Sequence, residues 1–438
     1  MSDRNRDDYF DLDNFDDSVD SRDYRRRQPN RRQTNYGGRP SYNTRRPVKR
    51  RRNRTRTRNR VMIVTAGLLA VVLVITLLIL MFRGCGGKKT PVGVSTEPKN
   101  KQETTVDPSV DPSNPQGATN PNDKLSPANF IAPNPTDDNS EGYDAGAIYV
   151  WNKTGFELFG GSEYTAKTYA ETINGFADKL AGMNVYSMMI PNHTEIGLPE
   201  RLKATANTNS QAENIKTAYA AMKDNVTPVN AYNYLSEHCN EYIYFKSDHH
   251  WTGLGAYYAY AAFCDTLGMT PLKLEDCTKQ TIPDFTGTFF NLANGLDTDI
   301  VEYYQFPYSV TMDITDANGN VNNYDSPYFE AEGSGTLSYG VFIYGDNPLT
   351  VLHSSSQNAA SGKKIAVVKE SYGNAFVSYL TNNYEEVHIM DLRTFRDVST
   401  ADLTTYCRQN GITDVLFLNG IMSANTQIQL DSMTALFD

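Results

Sequence analysis

The feature that most constrains this chain is a long apolar segment near its amino end, Val61–Phe82, with the sequence VMIVTAGLLAVVLVITLLILMF. Its 22 residues carry no charge. A helix of this length spans a hydrocarbon core of about 30 Å, at a rise of about 1.5 Å per residue. A cleaved signal peptide would have a shorter apolar part followed by small residues, whereas here Arg83 follows directly. The segment therefore predicts one transmembrane helix that stays in the protein as an anchor.

The residues before this segment are basic and lack the apolar positions that a folded core requires. Residues 1–60 hold 19 Lys and Arg against 9 Asp and Glu, a composition that predicts a disordered tail. Seven arginines lie between Arg50 and Arg60, and the positive-inside rule places such a block in the cytoplasm. Binding of nucleic-acid phosphates is the alternative use of these arginines. Topology and attraction to anionic lipid explain them more simply, so we expect no nucleic-acid partner.

Two regions follow the apolar segment, and both are predicted to lie outside the cell. Residues 83–141 are rich in Thr, Pro, Asn, Asp, Ser and Gly without hydrophobic periodicity, which predicts a disordered extracellular linker. Residues 142–438 are long enough for one large domain. Beyond residue 60 the chain holds 22 basic against 42 acidic residues, which disfavours anionic polymers as purely electrostatic ligands. We therefore expect a single-pass plasma-membrane protein with a cytoplasmic amino terminus and an extracellular carboxyl-terminal domain.

The cysteines of this domain show no metal-binding pattern. They are Cys239, Cys264, Cys277 and Cys407, and no two of them are spaced as C-x-x-C. A zinc site is therefore not expected, and the sequence leaves the disulfide pairing open.

Short apolar runs alternate with helical patterns in residues 142–438, which predicts an α/β fold with a parallel sheet and helices on both faces. The predicted strands are Ala147–Trp151, Val185–Ile190, Val226–Val229, Tyr242–Phe245, Lys364–Val368, Val387–Met390 and Asp414–Leu418. The predicted helices are 166–180, 214–222, 254–267, 374–380 and 401–410. In residues 283–345 the pattern changes to short Tyr-rich runs with an Asn-Gly pair at Asn318, which predicts hairpins in a β-rich insertion.

The most chemically suggestive stretch of the domain is Lys246–Leu254, KSDHHWTGL, which contains Asp248, His249, His250 and Trp251. A carboxylate beside an imidazole either orients a general base toward a Ser or Cys, or shares a metal ion with it. A purely structural role, with Asp248 capping the helix that follows, is the third option. Because the stretch lies between a predicted strand and a predicted helix, it is placed where doubly wound folds have their active sites.

The candidate nucleophile is Ser371, in the stretch KIAVVKESYGN from Lys364. An apolar strand ends here before a helix, so the serine would lie at the tip of the strand with the helix amino terminus behind it. The backbone N–H of Ser371, those of the next residues and the side chain of Asn374 would then stabilise an oxyanion. The alternative role of Ser371 is that of a helix N-cap. Since Asp248 and His250 follow another predicted strand, this pair and Ser371 would meet at one edge of a parallel sheet.

Three segments of the domain resemble the DHHW proteins of Gram-positive bacteria. They are SDHHWTGLGAYYAY from Ser247, KESYGNAF from Lys369 and MMIPNHTEI from Met188. The DHHW proteins are in turn similar to the alginate O-acetyltransferase accessory proteins, whose signature is D-x-H-W. The resemblance covers the chain from about Tyr143 to its end. It implies a flavodoxin-like SGNH-hydrolase fold in which Asp and His precede Ser along the chain, the reverse of the usual order in that superfamily.

The resemblance also implies roles for individual residues. The triad carboxylate, the general base, the adjacent aromatic residue and the nucleophile are carried over to Asp248, His250, Trp251 and Ser371, respectively. His249 fills the variable position of the signature and is expected to lie beside the triad without acting in it. Glu370 stands before the serine where SGNH proteins usually have Asp, so the geometry of the oxyanion site is not carried over.

Five residues are further candidates for oxyanion or substrate contacts. Asn419 ends an apolar run and either donates to an oxyanion or serves the turn before Gly420. Arg393 binds a sugar hydroxyl or a donor carboxylate, or forms a salt bridge. Trp251 stacks on a sugar ring or walls the histidine pocket. Two loop residues, Asn192 and His193, either line the same cleft or serve only the loop.

The favoured hypothesis is a membrane-anchored extracellular serine acyltransferase or esterase with an acyl-Ser371 intermediate and His250 as the base. The resemblance implies acetyl as the acyl group, a cell-envelope polysaccharide as partner and a membrane-bound O-acyltransferase as a second partner, and it implies no cofactor. The alternative is a non-catalytic glycan-binding or scaffold module of an envelope assembly. A third hypothesis is a metal-dependent phosphoesterase, for which few acidic or histidine clusters are available beyond Asp248, His249 and His250.

Overall fold

An eight-stranded mixed sheet organises the part of the chain that the computed structural model describes, residues 126–329 and 336–438. The predicted tail 1–60, the predicted transmembrane helix 61–82 and residues 83–125 of the predicted linker lie outside this part. Within the described residues, no helix has the length and apolar character needed to cross a membrane.

The described strands and helices follow one another along the whole domain. The strands are β1 (Tyr143–Asp144), β2 (Ile148–Trp151), β3 (Thr154–Glu157), β4 (Asn184–Ile190), β5 (Val226–Pro228), β6 (Thr278–Phe285), β7 (Asp299–Gln305), β8 (Val310–Thr315), β9 (Val321–Tyr324), β10 (Leu349–Ser354), β11 (Ala360–Lys369), β12 (Tyr384–Asp391) and β13 (Asp414–Gly420). The helices are α1 (Glu163–Lys179), α2 (His193–Gly197), α3 (Glu200–Ala206), α4 (Gln211–Ala220), α5 (Ala231–Glu237), α6 (Gly253–Leu267), α7 (Asn374–Val377), α8 (Phe395–Val398), α9 (Leu403–Gln409), α10 (Ile421–Ala424) and α11 (Gln427–Ala435). Short 3-10 helices include Ser371–Gly373 and Thr336–Val341.

The order of strands in the large sheet is β5-β4-β13-β11-β12-β10-β8-β9. The first five strands are parallel, whereas β10, β8 and β9 are added antiparallel. The predicted α/β fold is therefore confirmed, but a wholly parallel sheet is wrong. The tight connection of β8 to β9 explains part of the difference, since Asp316 accepts the N–H of Asn318 at 3.0 Å and Gly319 has a positive φ of 78°. A hairpin of this kind joins antiparallel strands only.

Helices cover both faces of the parallel part of the sheet. Leu416 of β13 lies beside Tyr186 of β4, so the next residue, Phe417, points to the opposite face. Phe417 contacts Phe176 of α1 with ring centroids 5.4 Å apart, and Tyr186 contacts Phe263 of α6 at 5.5 Å. The two helices therefore pack on opposite faces and bury the central strands on both sides.

Residues 283–345, predicted as a β-rich insertion, contribute to two different sheets. Strands β6 and β7 pair with each other in a separate antiparallel sheet, whereas β8 and β9 extend the large one. A third, three-stranded sheet is formed by β1, β2 and β3.

Residues 126–141, within the predicted linker, run over the domain without forming a helix or strand. Phe130 stacks on Tyr232 with ring centroids 4.5 Å apart, and Asn233 accepts a backbone N–H from Ile131 at 2.8 Å. Asp137 accepts from the guanidinium of Arg201 at 2.7 Å. The packed part of the chain therefore begins upstream of the predicted boundary at residue 142, because this segment supplies an apolar anchor and an ion-pair partner.

The predicted strand Tyr242–Phe245 is not a strand of the sheet. It forms one isolated bridge, between Tyr244 and Trp251, and Phe245 N–H donates to the His250 carbonyl at 3.2 Å. The segment thus folds back on the residues that follow it, and the backbone hydrogen bonds that a sheet would use are made locally. The cap of the next helix, α6, is Thr252, whose hydroxyl accepts the N–H of Gly255 at 3.3 Å. Asp248 therefore has no part in capping that helix.

Candidate active site

The three residues predicted as a triad lie in one hydrogen-bonded line. His250 Nδ1 is 2.6 Å from Asp248 Oδ1, and His250 Nε2 is 2.8 Å from Ser371 Oγ. All three side chains are buried, with Ser371 the most exposed of them at 6%. In this arrangement the carboxylate fixes the tautomer of the imidazole, and the other ring nitrogen can accept the proton of the serine hydroxyl.

Asp248 is held as a carboxylate by the groups around it. Its Oδ2 accepts the N–H of Thr288 at 2.8 Å, and its Oδ1 accepts the backbone N–H of His250 at 3.0 Å. Burial by itself would raise the pKa of Asp248, but the adjacent imidazoles of His249 and His250 and these hydrogen bonds hold the pKa well below its usual value. Asp248 is therefore ionised at neutral pH and can stabilise a protonated His250.

The loop that carries Asp248 is fixed by a buried carboxylate that sequence reasoning missed, Asp299 at the start of β7. Asp299 accepts hydrogen bonds from the Tyr242 hydroxyl at 2.6 Å, from Lys246 N–H at 2.9 Å and from Ser247 N–H at 2.8 Å. The Ser247 hydroxyl donates to it as well, at 2.6 Å. No motif in the sequence distinguishes Asp299, because its role depends on a fold contact with a loop about fifty residues earlier.

Ser371 begins a 3-10 turn two residues after the end of β11, and the residue between them, Glu370, caps this turn. Glu370 Oε2 accepts the N–H of Tyr372 at 2.8 Å, and Oε1 accepts the N–H of Gly420 at 2.7 Å. The N–H of Gly373 is bound to the Glu370 carbonyl at 2.9 Å. The expectation that the N–H groups after Ser371 face an oxyanion is therefore wrong for Tyr372 and Gly373, since Glu370 engages both.

Trp251 is fully buried and packs against the turn that carries Ser371, called the nucleophile turn. Its indole Nε1 donates to the Tyr372 carbonyl at 2.9 Å, and its ring packs against Tyr372 and Phe376. With 0% of its surface exposed, Trp251 offers no face to a sugar ring. Of the two predicted roles, only that of a wall beside the histidine pocket fits the structure.

His249 lies beside the triad, as its variable position in the signature implied. Its Nδ1 is 2.9 Å from the Thr288 hydroxyl, and its ring centroid is 3.8 Å from that of His250. Burial, together with the positive charge that His250 can carry, lowers the pKa of His249 to about 3. At neutral pH His249 is therefore uncharged.

The same residues were candidates for a metal site, and their ligating atoms do lie within 4.8 Å of one another. However, both ring nitrogens of His250 are engaged, one by Asp248 and the other by Ser371. The second oxygen of Asp248 accepts from the Thr288 N–H. A metal bound here would break these hydrogen bonds, so the arrangement fits a proton-transfer triad better than a metal centre.

The predicted oxyanion residue Asn374 and the predicted substrate residue Arg393 meet at one carboxylate, that of Asp346. Asn374 Nδ2 donates to Asp346 Oδ1 at 2.9 Å, and Arg393 Nη2 donates to Asp346 Oδ2 at 2.6 Å. Arg393 also donates from Nε to Asp391 at 3.0 Å. The salt-bridge alternative for Arg393 is therefore what the structure shows, and Asp346 is a second residue that the sequence did not reveal.

The other predicted contacts, Asn419, Asn192 and His193, bind to neighbouring parts of the scaffold. Asn419 is fully buried under α1, where its Oδ1 accepts from the Tyr169 hydroxyl at 3.1 Å. Asn192 caps α2 by accepting the N–H of Thr194 at 3.1 Å. His193 is partly buried and packs between Phe156 and Tyr244, with ring centroids 4.7 Å and 5.1 Å away. Asn192 and His193 therefore serve the scaffold. The Nδ2 of Asn419 is buried without a hydrogen-bond partner among the described residues, so its role as an oxyanion donor stays a prediction.

Several solved structures are similar to this chain. A DHHW family protein from Eubacterium siraeum DSM 15702 is 27% identical, with a TM-score of 0.60 over 68% of this chain and 98% of that chain. PatB1 from Bacillus cereus, solved with a sulfonyl adduct, is 22% identical, with a TM-score of 0.51 over 64% of this chain and 97% of that chain. The O-acetyltransferase domain of Pseudomonas putida AlgJ is 12% identical, with a TM-score of 0.39 over 67% of this chain and 98% of that chain.

Comparison at the level of sequence assigns the family. No curated protein matches this chain. The family described as DHHW protein matches residues 113–390, which is more than half of the 438 residues. The match includes both the Asp248–Trp251 segment and the Ser371 turn. The chain therefore belongs to the DHHW protein family.

Proposed function

We propose that this protein is a membrane-anchored extracellular serine O-acyltransferase or esterase that acts on O-acetyl groups of a cell-envelope polysaccharide. The observation that carries the proposal is the position of His250, 2.6 Å from Asp248 and 2.8 Å from Ser371. We also propose that the fold is of the SGNH-hydrolase type, as its parallel strands and the family resemblance suggest.

The chemistry follows from the hydrogen-bonded line. His250 Nε2 takes the proton of Ser371 as Oγ attacks the carbonyl carbon of an acetyl ester, and the bond to the leaving oxygen breaks as His250 returns the proton to it. In the second half, a sugar hydroxyl or water gives its proton to His250 and attacks the acyl-serine, and His250 returns that proton to Oγ as the bond between Oγ and the acyl carbon breaks. Throughout, the carboxylate of Asp248 stabilises the imidazolium.

Other parts of the proposal rest on sequence and family. The acetyl group and the polysaccharide come from the DHHW family and its similarity to alginate O-acetyltransferase accessory proteins. The same similarity suggests a membrane-bound O-acyltransferase as the source of acyl groups. The anchor is proposed to be Val61–Phe82, with the arginine-rich residues before it in the cytoplasm.

One observation favours the non-catalytic alternative, a glycan-binding or scaffold module. Glu370 already occupies the N–H of Tyr372, and the N–H of Gly373 is bound to the Glu370 carbonyl, so two expected oxyanion donors are engaged. A protein of this kind would retain the triad residues without turnover. The two functions differ in whether Ser371 reacts.

The test uses the full-length protein in detergent, with 4-nitrophenyl acetate as substrate and a fluorophosphonate as a serine-directed probe. We expect Ser371→Ala to abolish both hydrolysis and labelling, and His250→Ala to reduce both by about a thousandfold or more. A matched control is His238→Ala, because His238 pairs with Glu241 on another part of the domain. Unchanged activity in Ser371→Ala or His250→Ala contradicts the proposal. Glycan binding without labelling of the wild type favours the scaffold.

The proposed topology has its own test. Protease added to intact protoplasts should degrade residues 142–438 and spare an epitope placed before Val61. Protection of the domain in intact protoplasts, with cleavage only after lysis, would place it in the cytoplasm instead.

A further inference from the structure

A network of four charged side chains lies beside the nucleophile turn, and its formal charges cancel. Lys369 Nζ donates to Asp346 at 2.8 Å and lies 3.4 Å from Asp391 Oδ2. Arg393 donates to both carboxylates, at 2.6 Å to Asp346 and 2.7 Å to Asp391. Burial by itself would raise the pKa of Asp346, but the charges of Lys369 and Arg393 hold that pKa well below its usual value. Two cations therefore face two carboxylates.

The network borders the triad. Lys369 is the last residue of β11 and precedes Ser371 by two positions, while Asn374 follows Ser371 in the same turn and donates to Asp346. Although burial lowers the pKa of His249 to about 3, the negative charge of Asp346 opposes that shift. Arg393 likewise opposes the rise that burial causes in the pKa of Glu370. Lys369 and Asn374, which stand on either side of Ser371 in the chain, therefore tie the network to the nucleophile turn.

Only part of the network faces solvent. The side chains of Lys369 and Asp391 are 0% and 1% exposed, whereas those of Asp346 and Arg393 are 15% and 28% exposed. Arg393 uses Nε and Nη2 in its ion pairs, and its Nη1 makes no hydrogen bond within residues 126–329 and 336–438. The Asn374 Oδ1 atom is buried and is also without a hydrogen-bond partner among these residues. The partly exposed side chains of Arg393 and Asp346 therefore offer an N–H donor and carboxylate oxygens at the surface, and Asn374 adds an unpaired buried acceptor beside them.

We propose that Asp346, Asn374 and Arg393 form a subsite for the hydroxyl and amide groups of an uncharged sugar, so that the polysaccharide acted on is neutral. The inference rests on the proposed function and names its substrate class. Hydroxyl and amide groups both donate and accept, which matches the guanidinium, carboxylate and amide of this subsite. A uronate carboxylate would lie near Asp346 and Asp391, where each cation is already paired, and a like charge in such a position is repelled.

A matched pair of substrates tests this substrate class with the full-length protein. C6-oxidised cellotetraose is chemically O-acetylated and used as the free acid, called the oxidised form, and as its C6 methyl ester, called the neutral form. The two carry acetyl groups at the same positions and differ in the charge at C6. We expect kcat/KM for acetate release to be at least about tenfold higher with the neutral form, since tenfold corresponds to about 1.4 kcal/mol, less than the cost of one buried like-charge contact. Hydrolysis of 4-nitrophenyl acetate is measured in parallel.

Two variants change the charge of the subsite in opposite directions. Asp346→Asn leaves one positive charge in excess and should narrow the preference for the neutral form, whereas Arg393→Gln leaves one negative charge in excess and should widen it. General damage to the fold would lower both rates without moving the ratio in opposite senses. The quantity compared is therefore the ratio of kcat/KM for the neutral form to kcat/KM for the oxidised form. The 4-nitrophenyl acetate activity of each variant shows how much of the folded protein remains.

The outcomes separate this inference from the proposed function. Equal rates, a preference for the oxidised form, or no acetate release from either form overturns the neutral-sugar subsite while 4-nitrophenyl acetate hydrolysis continues. Ratios that move in the same direction in both variants also overturn it. If the wild type hydrolyses no ester and takes no serine-directed probe, the proposed function fails first and this inference with it.

Discussion

The imidazole of His250 lies flat against the phenol ring of Tyr339, with ring centroids 4.1 Å apart and an interplanar angle of 14°. The Tyr339 hydroxyl donates to the Ser371 carbonyl at 3.2 Å. One aromatic side chain therefore contacts both the general base and the backbone of the nucleophile. The stack limits rotation of the imidazole about the line from Asp248 to Ser371, which keeps both ring nitrogens aligned for proton transfer.

We predict that Tyr339→Phe retains most activity and that Tyr339→Leu does not. Phe keeps the stacked ring and loses one hydrogen bond, a net contribution of about 0.5–1.5 kcal/mol, so kcat/KM should fall by less than about tenfold. Leu removes the flat surface, and we expect a fall of about a hundredfold because a small displacement of the base is costly. Steady-state kinetics with 4-nitrophenyl acetate measure both. Equal losses in the two variants would mean that the hydroxyl, and not the stack, positions His250.

A second prediction concerns Gly287, whose backbone packs closely against Asp248 of the triad. A Cβ at this position would lie 2.2 Å from Asp248 Cβ, a distance that forces Asp248 to move. We expect Gly287→Ala to lower kcat/KM by at least about a hundredfold. Gly175→Ala is the matched control, because a Cβ there meets nothing within 4 Å and Gly175 lies inside α1. That control should keep full activity and gain up to about 1 kcal/mol in helix stability.

The triad could be predicted from sequence because its information is local. The spacing of Asp248 and His250 allows one side chain to reach the other, as the 2.6 Å contact confirms, and Ser371 follows an apolar strand directly. The secondary structure predicted before Asp248 was nevertheless wrong. Residues 242–245 are not a sheet strand, and Asp299 holds the loop in place of strand pairing.

What the sequence could not reveal depends on contacts between distant parts of the chain. Tyr339 and Thr288 lie in segments without a motif, and their roles arise only when those segments pack over the triad. The same holds for Asn419, because the alternation of side chains along β13 points its Oδ1 toward Tyr169 of α1, a contact that its place at a strand end did not predict.

A third prediction concerns stability at mildly acidic pH. Burial lowers the pKa of His193 to about 4, whereas an unfolded histidine titrates near 6.5. Between these values the unfolded chain binds a proton that the folded protein does not, so stability falls as the pH drops from about 6.5 to about 4. At pH 5 this loss amounts to about 2 kcal/mol.

His193→Phe keeps a ring between Phe156 and Tyr244 but cannot titrate, so its unfolding free energy should fall less between pH 7 and pH 5 than that of the wild type. Urea unfolding followed by tryptophan fluorescence reports on the domain, because both tryptophans, Trp151 and Trp251, lie within it. His249 still titrates in the variant, so part of the pH dependence should persist. Identical pH dependence in the two proteins would show that His193 is not buried in its neutral form.

The last prediction concerns Glu370, which joins the ends of β11 and β13 by accepting the N–H groups of Tyr372 and Gly420. Glu370→Gln keeps the length of the side chain but has one acceptor oxygen for these two donors. A buried N–H without a partner costs about 1–3 kcal/mol, and we expect a loss of that size at pH 4.5. Glu370→Asp, which is shorter by one methylene, should fail to bridge the two strands and lose a similar amount.

The pH dependence of this loss follows from the carboxyl group itself. Burial raises the pKa of Glu370 above its ordinary value, against the lowering by its two backbone hydrogen bonds. The folded protein therefore holds the proton more tightly than the unfolded chain, and the wild type loses stability as the pH rises from about 4.5 through the raised pKa. Gln does not titrate, so the difference in unfolding free energy between wild type and Glu370→Gln should shrink between pH 4.5 and pH 8. A difference that grows over this range would mean that the two N–H donors outweigh burial and keep Glu370 ionised.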